Sequence, residues 1–192
     1  MKKASAGPSF HPRALVDRGA KVGRGTRVWA FAHVMSGALI GADCNVGDHS
    51  FVESGAVLGD RVTLKNGVSV WDGVRIESDV FIGPNAAFTN DLRPISRRQT
   101  SFVPTLVKKG ACIGANSTIV CGVVVGRFAF VGAGAVVTRD LPDHSLAYGN
   151  PARVRGHLCA CRASIAFRGG RAACRACGAR YTRTGKSVRR AA

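Results

Sequence analysis

Aromatic side chains are scarce in this chain of 192 residues, at 7% of the sequence, while glycine occurs 24 times. This composition disfavours a helical bundle and suits many short strands joined by tight corners. The sequence also lacks any run of the roughly 18 to 20 apolar residues that a membrane span needs. Its first residues lack the apolar segment of a secretory signal. We therefore expect a cytoplasmic protein with one main domain and no membrane span.

Acidic residues are absent from the end of the chain. The net charge is +17, yet residues 152–192 hold eleven Lys or Arg and no Asp or Glu, which leaves +6 for the rest. Few aromatic residues interleave these cations, which weakens a nucleic-acid module that works by base stacking. We interpret this segment as a solvated basic tail, with RNA, DNA, an anionic membrane or acidic nucleotide groups as alternative partners.

The seven cysteines are an odd number, and four of them cluster near the C-terminus. This pattern fits a reducing compartment better than a disulfide framework. Cys159-x-Cys161 and Cys174-x-x-Cys177, twelve residues apart, have a spacing suited to tetrahedral Zn²⁺ in a knuckle over residues 156–182. Four sulfur ligands leave no open position, so this Zn²⁺ would be structural. His157 is a possible substitute ligand, and unpaired reduced thiols are the alternative. Residues 183–192 are predicted to be disordered.

A six-residue repeat predicts the fold of the main domain, because a sequence repeat of fixed length implies a repeated structural unit. The first series of apolar residues at this spacing is Val16, Val22, Val28, Val34, Ile40, Val46, Val52, Leu58, Leu64, Val70, Ile76, Ile82 and Phe88. The second series, shifted by one residue, is Val107, Ile113, Ile119, Val125, Val131 and Val137. Four positions after most of these residues stands a small or β-branched residue.

A period of six matches neither a helix nor simple strand alternation, but it does fit a short strand followed by a corner. Three such segments form one triangular coil of about 18 residues, and the apolar residues stack along its axis. The two series therefore predict an all-β parallel β-helix of about six coils over residues 11–155. Residues 89–106 would form an 18-residue loop insertion between the series, where a rigid scaffold often carries function.

The repeat resembles the hexapeptide-repeat acyltransferases, which wind as left-handed parallel β-helices. The resemblance is most specific in KNGVSVWDGVRIESDVFIGPNAAFTND at residues 65–91, and in the later Gly-Asn-Pro-Ala-Arg at residues 149–153. These segments look like sugar N-acetyltransferases that act on UDP-2-acetamido-3-amino-2,3-dideoxyglucuronate. Enzymes for dTDP-3-amino-3,6-dideoxyhexoses are the alternative. The resemblance implies acetyl-CoA as co-substrate, a role in surface polysaccharide or O-antigen precursor synthesis, and a homotrimer with active sites between subunits.

The resemblance also implies site residues. Asn90 would hold the substrate amine with Asp91 beside it, although both could simply form the turn that opens the insertion. His33 would contact substrate or act as a base, although a surface histidine is an equal alternative. Further candidates for substrate binding are Lys65, Asn66, Asp72 and Arg98. Because a thioester is reactive, positioning could supply much of the rate, and the proton acceptor stays open between a protein base and the CoA thiolate.

Acetyl-CoA is expected on the later coils. Small residues that would let an extended pantetheine arm approach the backbone are Gly114, Ala115, Gly132 and Ala133. Arg153 stands at the family position that meets a CoA phosphate, and a guanidinium suits that role.

Two other classes of protein compete with this interpretation. A γ-carbonic-anhydrase-type metalloenzyme needs several histidines that converge on one metal. The chain has only five histidines, and no two of them stand in that arrangement on the repeat. A non-catalytic β-helical scaffold whose basic tail binds nucleic acid would show salt-sensitive polynucleotide binding and no thiol release from acetyl-CoA.

Overall fold

The computed structural model describes residues 7–98 and 101–191, which form 26 short strands joined by turns. No helix occurs among these residues, so none of them belongs to a helix that could cross a membrane. The absence of helix agrees with the all-β prediction from composition and period.

Most of the strands assemble into three parallel sheets. Sheet A contains β1 (Ser9–Phe10), β4 (Arg27–Val28), β7 (Asn45–Val46), β10 (Thr63–Leu64), β13 (Phe81–Ile82), β16 (Cys112–Ile113), β19 (Phe130–Val131) and β21 (Ser145–Tyr148), and ends with the antiparallel strands β22 (Arg153–Leu158) and β23 (Ser164–Ile165). Sheet B contains β2 (Leu15–Val16), β5 (His33–Val34), β8 (Phe51–Val52), β11 (Ser69–Val70), β14 (Ala87–Phe88), β17 (Thr118–Ile119) and β20 (Val136–Val137). Sheet C contains β3 (Lys21–Val22), β6 (Leu39–Ile40), β9 (Val57–Leu58), β12 (Val74–Ile76), β15 (Thr105–Val107) and β18 (Val124–Val125).

The chain visits sheets A, B and C in turn, and each circuit is one coil of a parallel β-helix. Each residue pairs with the residue one coil later, as Ser9 does with Arg27 and Thr63 with Phe81. Six coils have all three strands, and a partial seventh contains β19, β20 and the bridge from Val125 to Leu141. The prediction of stacked coils is confirmed, with the first coil beginning at Ser9 rather than His11. We call the turns between successive sheets the A–B, B–C and C–A corners.

Inward-facing aliphatic residues form the core, as the six-residue series predicted. Val34, Val52, Val70 and Ile82 are all fully buried, whereas Val16 in the first coil is only partly buried because no coil covers it. The small residue four positions later fills the adjacent corner, where a larger side chain would collide with the next coil.

The corners are tight turns with a left-handed residue, often glycine as predicted, but not always. Phe31 (φ 58°) and Arg61 (φ 55°) also adopt this conformation. Phe31 is stabilised because its ring stacks on His49 of the next coil, with centroids 4.9 Å apart. Stacking between coils thus offsets the strain of a bulky left-handed residue.

The insertion leaves the B–C corner after β14 and rejoins sheet C at β15, so it spans residues 89–104. The predicted end at 106 was too late, because Thr105 and Leu106 pair with Val74 and Arg75 in sheet C. The base of the loop is closed where the amide of Val103 donates to the carbonyl of Asn90 at 2.8 Å.

Beyond the β-helix, residues 159–191 form what we call the C-terminal module. It contains β23 and a three-stranded antiparallel sheet of β24 (Arg171–Ala173), β25 (Arg180–Thr184) and β26 (Ser187–Arg190). The predicted boundary at 155 falls inside β22. The predicted disorder of residues 183–192 is wrong for 183–190, because β25 and β26 form a hairpin that buries Tyr181 and Val188. Ala192 lies outside the described residues.

Candidate functional site

His33 lies on β5 and is held by a carboxylate from the preceding coil. Its Nε2 donates to Oδ1 of Asp17 at 3.0 Å, and each side chain is 31% exposed. The hydrogen bond to His33 lowers the pKa of Asp17, and the backbone amide of Ser36, which donates to Oδ2 at 3.2 Å, lowers it further. A carboxylate that fixes an imidazole in this way orients it for proton transfer or for hydrogen bonding to a ligand.

Aromatic rings extend from His33 across the next coils. Phe51 meets His33 edge-on at 5.5 Å, and Trp71 lies 5.5 Å from Phe51. The indole N–H of Trp71 donates to the carbonyl of Phe88 at 2.9 Å. The sequence neighbours of His33, Trp29 and Phe31, instead contact residues of the next coil. Trp29 donates to Asn45 on β7, and Phe31 stacks on His49 at the A–B corner. Phe51 was not among the residues predicted from the sequence, although its position 18 residues after His33, one coil later, predicts the contact.

Asn90 opens the insertion at the B–C corner, directly above Asp72 of the preceding coil. Its Nδ2 points to the backbone carbonyl of Asp72 at 3.5 Å, and its own carbonyl accepts from Val103. The carboxylate of Asp91 accepts from the amide of Arg93 at 2.7 Å, as the turn alternative requires. The structure therefore brings Asn90, Asp91 and Asp72 together and fixes them at the base of the loop.

Other candidates lie elsewhere on the same chain. His33 is in the second coil and Asn90 in the fifth, and three strand spacings separate them by about 14 Å along the axis. Lys65 and Asn66 are exposed at an A–B corner, whereas Asp72 and Asn90 are at B–C corners. Arg98 is exposed in the insertion. Within one chain these residues do not form a single pocket.

The candidate CoA glycines have a structural reason to be glycine. A Cβ on Gly114 would lie 2.5 Å from the amide nitrogen of Ala133, and one on Gly132 would lie 2.8 Å from Cβ of Tyr148. Both residues, with Ala115, belong to the A–B corners of the last two coils, where successive turns stack closely. Their small size is therefore explained by coil packing, whether or not a ligand lies against them.

The four cysteines of the C-terminal module converge. Their Sγ atoms all lie within 4.8 Å of one another, and Cys159 and Cys177 approach to 3.4 Å. Cys161 and Cys174 approach to 3.6 Å. Among residues 7–98 and 101–191 of one chain, this is the one group of three or more His, Cys, Asp or Glu side chains close enough to hold a metal.

Tyr181 supports this cluster, and sequence analysis missed it. Its hydroxyl accepts from the amide of Ala160 at 3.1 Å and lies 3.1 Å from Sγ of Cys159, to which it can donate. Burial disfavours ionisation of Cys159, but the bond from Tyr181 and the contacts with the other thiols outweigh it and lower the pKa of Cys159 to about 6. A thiolate at this position is the form that binds metal.

His144 and Arg162 connect the module to the β-helix. His144 is buried between Phe128, at 5.2 Å, and Tyr181, at 4.9 Å, and its Nδ1 donates to the carbonyl of Leu158 at 2.9 Å. Burial lowers the pKa of His144, which keeps its imidazole neutral. The guanidinium of Arg162 donates to the carbonyl of Gly110 at 2.7 Å. The module is therefore docked on the last coils.

This fold and these corners define a β-helical transferase of the bacterial hexapeptide-repeat class. Residues 19–54 match the family described as bacterial transferase hexapeptide (six repeats), and residues 104–139 match the hexapeptide repeat of succinyl-transferase. A solved acetyltransferase domain of PglB from Neisseria gonorrhoeae, in complex with acetyl coenzyme A, superposes with a TM-score of 0.56 at 25% identity. That match covers 79% of this chain and 59% of the other.

Relatives of known activity narrow the class. The dTDP-3-amino-3,6-dideoxy-α-D-galactopyranose 3-N-acetyltransferase of Aneurinibacillus thermoaerophilus is 50% identical over 182 residues, 94% of either chain. The bifunctional protein GlmU of Nitratidesulfovibrio vulgaris is 34% identical over 140 residues, 68% of this chain and 30% of GlmU. The chain therefore belongs to the hexapeptide-repeat acetyltransferase family.

Proposed function

We propose that this protein transfers the acetyl group of acetyl-CoA to the 3-amino group of a dTDP-linked 3-amino-3,6-dideoxyhexose. The observation that carries the proposal is the 50% identity to a dTDP-3-amino-3,6-dideoxygalactose enzyme over 94% of the chain. This relative favours the dTDP alternative over the UDP-linked glucuronate that was our first expectation from sequence. The product would serve surface polysaccharide or O-antigen precursor synthesis, and the reaction would take place in the cytoplasm.

In this reaction the amine nitrogen attacks the thioester carbonyl, the C–S bond breaks, and the amine loses one proton. Asn90 is suited to hold the amine. Its Nδ2 is turned toward the carbonyl of Asp72, which directs Oδ1 to the opposite side as an acceptor for an amine hydrogen. Fixing the amine beside the thioester supplies much of the rate, and the departing CoA thiolate can take the proton. Asp91, with Asp72, makes the corner negative, which attracts an amine that arrives protonated. That first proton passes to water before the neutral amine attacks, and the thiolate takes the second.

A homotrimer would complete the site. His33 with Asp17 and Asn90 with Asp72 lie three coils apart on one chain, so they could act on one substrate only across a subunit boundary. The insertion exposes Leu92 and Ile95, at 59% and 56%, and Phe102 at 48%, and apolar side chains in such a loop fit contact with a neighbouring subunit. Lys65, Asn66 and Arg98 would then contribute from the facing A–B corner and the loop. Sedimentation analysis tests the trimer directly.

Zn²⁺ is our proposal for the C-terminal cysteines. Tetrahedral Zn²⁺ with Zn–S bonds of about 2.3 Å places its sulfurs about 3.8 Å apart, and the observed Sγ distances up to 4.8 Å are close to this arrangement. The backbone already has the knuckle turn, where the amide of Gly178 donates to the carbonyl of Cys174 at 2.9 Å. The metal would be structural. Elemental analysis of the purified protein should find one zinc per chain.

The activity test uses acetyl-CoA with a panel of nucleotide sugars and measures free CoA thiol. We expect turnover with dTDP-3-amino-3,6-dideoxygalactose and far less with the UDP-linked 3-amino glucuronate. Asn90→Ala should lower kcat by 100-fold or more, on the order of the loss of one positioning contact. Asn116→Gly is the matched control, because it removes an exposed corner amide at φ 55° without strain.

Two outcomes would overturn the proposal. Turnover of the UDP sugar alone would restore our first expectation. No thiol release with any 3-amino sugar nucleotide, together with salt-sensitive binding to polynucleotides, would instead favour the non-catalytic scaffold with a basic nucleic-acid-binding tail.

A further inference from the structure

The three-stranded sheet of the C-terminal module has one buried face and one exposed face. Tyr181 of β25 and Val188 of β26 are buried in the core of the module, and the side chains next to them in sequence point the other way because directions alternate along a strand. The exposed face holds Arg171 of β24, Arg180 of β25 and Arg189 of β26. We call this the arginine face. Its other residues, also exposed, are Ala173, Thr182, Thr184 and Ser187.

Strand pairing places these cations side by side. Arg171 pairs with Thr182, which pairs in turn with Arg189, so a row across the sheet has a guanidinium group on each outer strand. Two strand spacings separate the backbone positions of Arg171 and Arg189 by about 10 Å. Arg180 is on the central strand, two positions before Thr182, and therefore lies on the same face.

Two further arginines adjoin this face. Arg168 and Arg175 line one cavity with Arg171, and both are exposed. Residues 152–192 contain no Asp or Glu, and no salt bridge among the described residues involves any of these five arginines. The module therefore gathers five guanidinium groups without a carboxylate to neutralise them. Like charges held this close repel one another, and an external polyanion would relieve that repulsion.

Phosphate is the anion that a set of arginines fits best. A guanidinium group donates two parallel hydrogen bonds to two phosphate oxygens and stays charged at every physiological pH. Several such groups on one surface therefore suit a partner that presents many phosphates. Nucleic acids and anionic phospholipid bilayers both do so.

The composition of the module disfavours a nucleic acid. Proteins that bind single strands stack the bases on exposed aromatic rings, but Tyr181 is buried and Phe167 packs against the same core, with the guanidinium of Arg183 over its ring at 5.1 Å. The major groove of a duplex admits a helix or a two-stranded ribbon. The module has no helix, β24 covers one edge of the hairpin, and the arginines stand on the broad face of the sheet. A bilayer surface, which is broad and carries phosphates across it, matches this face better.

We propose that the arginine face, with Arg168 and Arg175, docks this protein on an anionic phospholipid bilayer, where lipid phosphates bind the guanidinium groups. The contact is electrostatic, because the arginine face has no large apolar side chain to insert between lipids. In the proposed homotrimer, rotational symmetry gives all three faces the same inclination to the axis, so that three faces can meet one surface and bind it together.

Co-sedimentation of the full-length protein with vesicles tests this proposal. We expect binding to vesicles of mixed phosphatidylglycerol and phosphatidylcholine, weakened by salt, and none to pure phosphatidylcholine. The double variant Arg180→Gln with Arg189→Gln should bind about 25-fold more weakly, because each cation near an anionic bilayer contributes about fivefold. Thr184→Lys adds a cation to the same face and should strengthen binding about fivefold, which keeps the test decisive if the double variant misfolds.

The matched control is Arg24→Gln with Arg27→Gln, which removes two exposed arginines at the opposite end of the β-helix and should bind as the wild type does. Equal losses in the two double variants, or equal binding to both kinds of vesicle, would overturn the proposal. Binding to duplex DNA but not to anionic vesicles, weakened by the Arg180 and Arg189 substitutions, would assign the face to a nucleic acid instead. Release of free CoA thiol is measured separately, so that failure of this proposal and failure of the proposed acetyl transfer remain distinguishable.

Discussion

The β-helix and the C-terminal module differ in how much apolar surface they bury. The β-helix has one continuous core of 33 buried residues, to which every coil after the first contributes. The module buries six, namely Cys159, Ile165, Cys174, Ala179, Tyr181 and Val188. Two of those six are cysteines of the four-thiol cluster. A core this small rarely stabilises an isolated fold of about 33 residues, so the proposed Zn²⁺ would supply a cross-link that the few buried residues of the module do not.

The comparison shows two ways of ordering short strands. In the β-helix a strand of two residues is stable because a neighbouring coil covers it on each side. In the module the strands meet antiparallel partners over few residues, and the thiolate cluster fixes their ends. We therefore expect perturbations of the core to affect the β-helix and perturbations of the cysteines to affect the module.

Removal of the proposed Zn²⁺ should have the largest effect. Chelation under reducing conditions, or Cys174→Ser, should unfold residues 159–191, because structural Zn²⁺ contributes on the order of 10 kcal/mol to small cysteine-rich folds. Hydrogen exchange should show fast amides in the module and protected amides in the coils. Cys112→Ser, a half-buried thiol of the β-helix, is the control. If the amides of the module stay protected from exchange without metal, the module does not depend on its cysteine cluster, and the proposed difference from the β-helix is wrong.

Truncation in the middle of the core should come next. Val70→Ala leaves a cavity at a fully buried site and should lower the free energy of unfolding of the β-helix by about 2 kcal/mol. Zinc content should not change. Ser69→Ala, on the outward face of the same strand, should change stability by less than about 0.5 kcal/mol. Urea unfolding measures both, and equal effects of the two substitutions would contradict the assigned core.

Loss of Arg162 should uncouple the two regions. Arg162→Ala removes the bond to the carbonyl of Gly110, at 2.7 Å, that ties the module to the β-helix. We expect a loss of about 1 kcal/mol and separate thermal transitions for module and coils in calorimetry. Arg168 is an exposed arginine in the loop before β24, and Arg168→Ala should leave a single thermal transition. Identical traces for both variants would show that docking depends on His144 and Tyr181 alone.

The smallest effect should come from the surface carboxylate Asp79. It accepts from Arg61 Nε at 2.6 Å and lies 3.5 Å from the ammonium of Lys109, and the bond from Arg61 lowers the pKa of Asp79. Asp79→Asn should cost less than about 1 kcal/mol, as exposed pairs do. Because the folded pKa is depressed, this stability is complete above the unfolded pKa of about 3.9 and is lost as the pH falls through the folded value.

Urea unfolding of wild type and Asp79→Asn between pH 7 and pH 3 measures this difference. The two curves should converge at the acid end. A difference that grows toward low pH would contradict the sign.

The regular part of this fold was predictable because a fixed step in sequence places residues in one column. Val34 to Ile82 were placed in the core from their spacing alone, and all proved buried. The end of the insertion was less predictable, since Thr105 and Leu106 could join either loop or strand. Only the pairing of β15 with β12 decides it.

Contacts between distant segments could not be predicted from the repeat. The cysteine spacing indicated a cluster, but no period relates Tyr181 to Cys159, 22 residues away. The separation of His33 from Asn90 follows from counting coils, yet whether they meet depends on a second subunit. The hairpin of β25 and β26 was concealed by its arginines, which point outward while Tyr181 and Val188 face inward.

The constant spacing of the coils makes the β-helix a molecular ruler. Asn90 and Arg139 share one corner line and are two coils apart, so the interval between them is set by how many coils lie between and not by any flexible segment. Insertion of one further 18-residue coil would lengthen that interval by about 4.8 Å without disturbing either end. The tolerated length of a ligand bound along the corner would then change in steps of one coil.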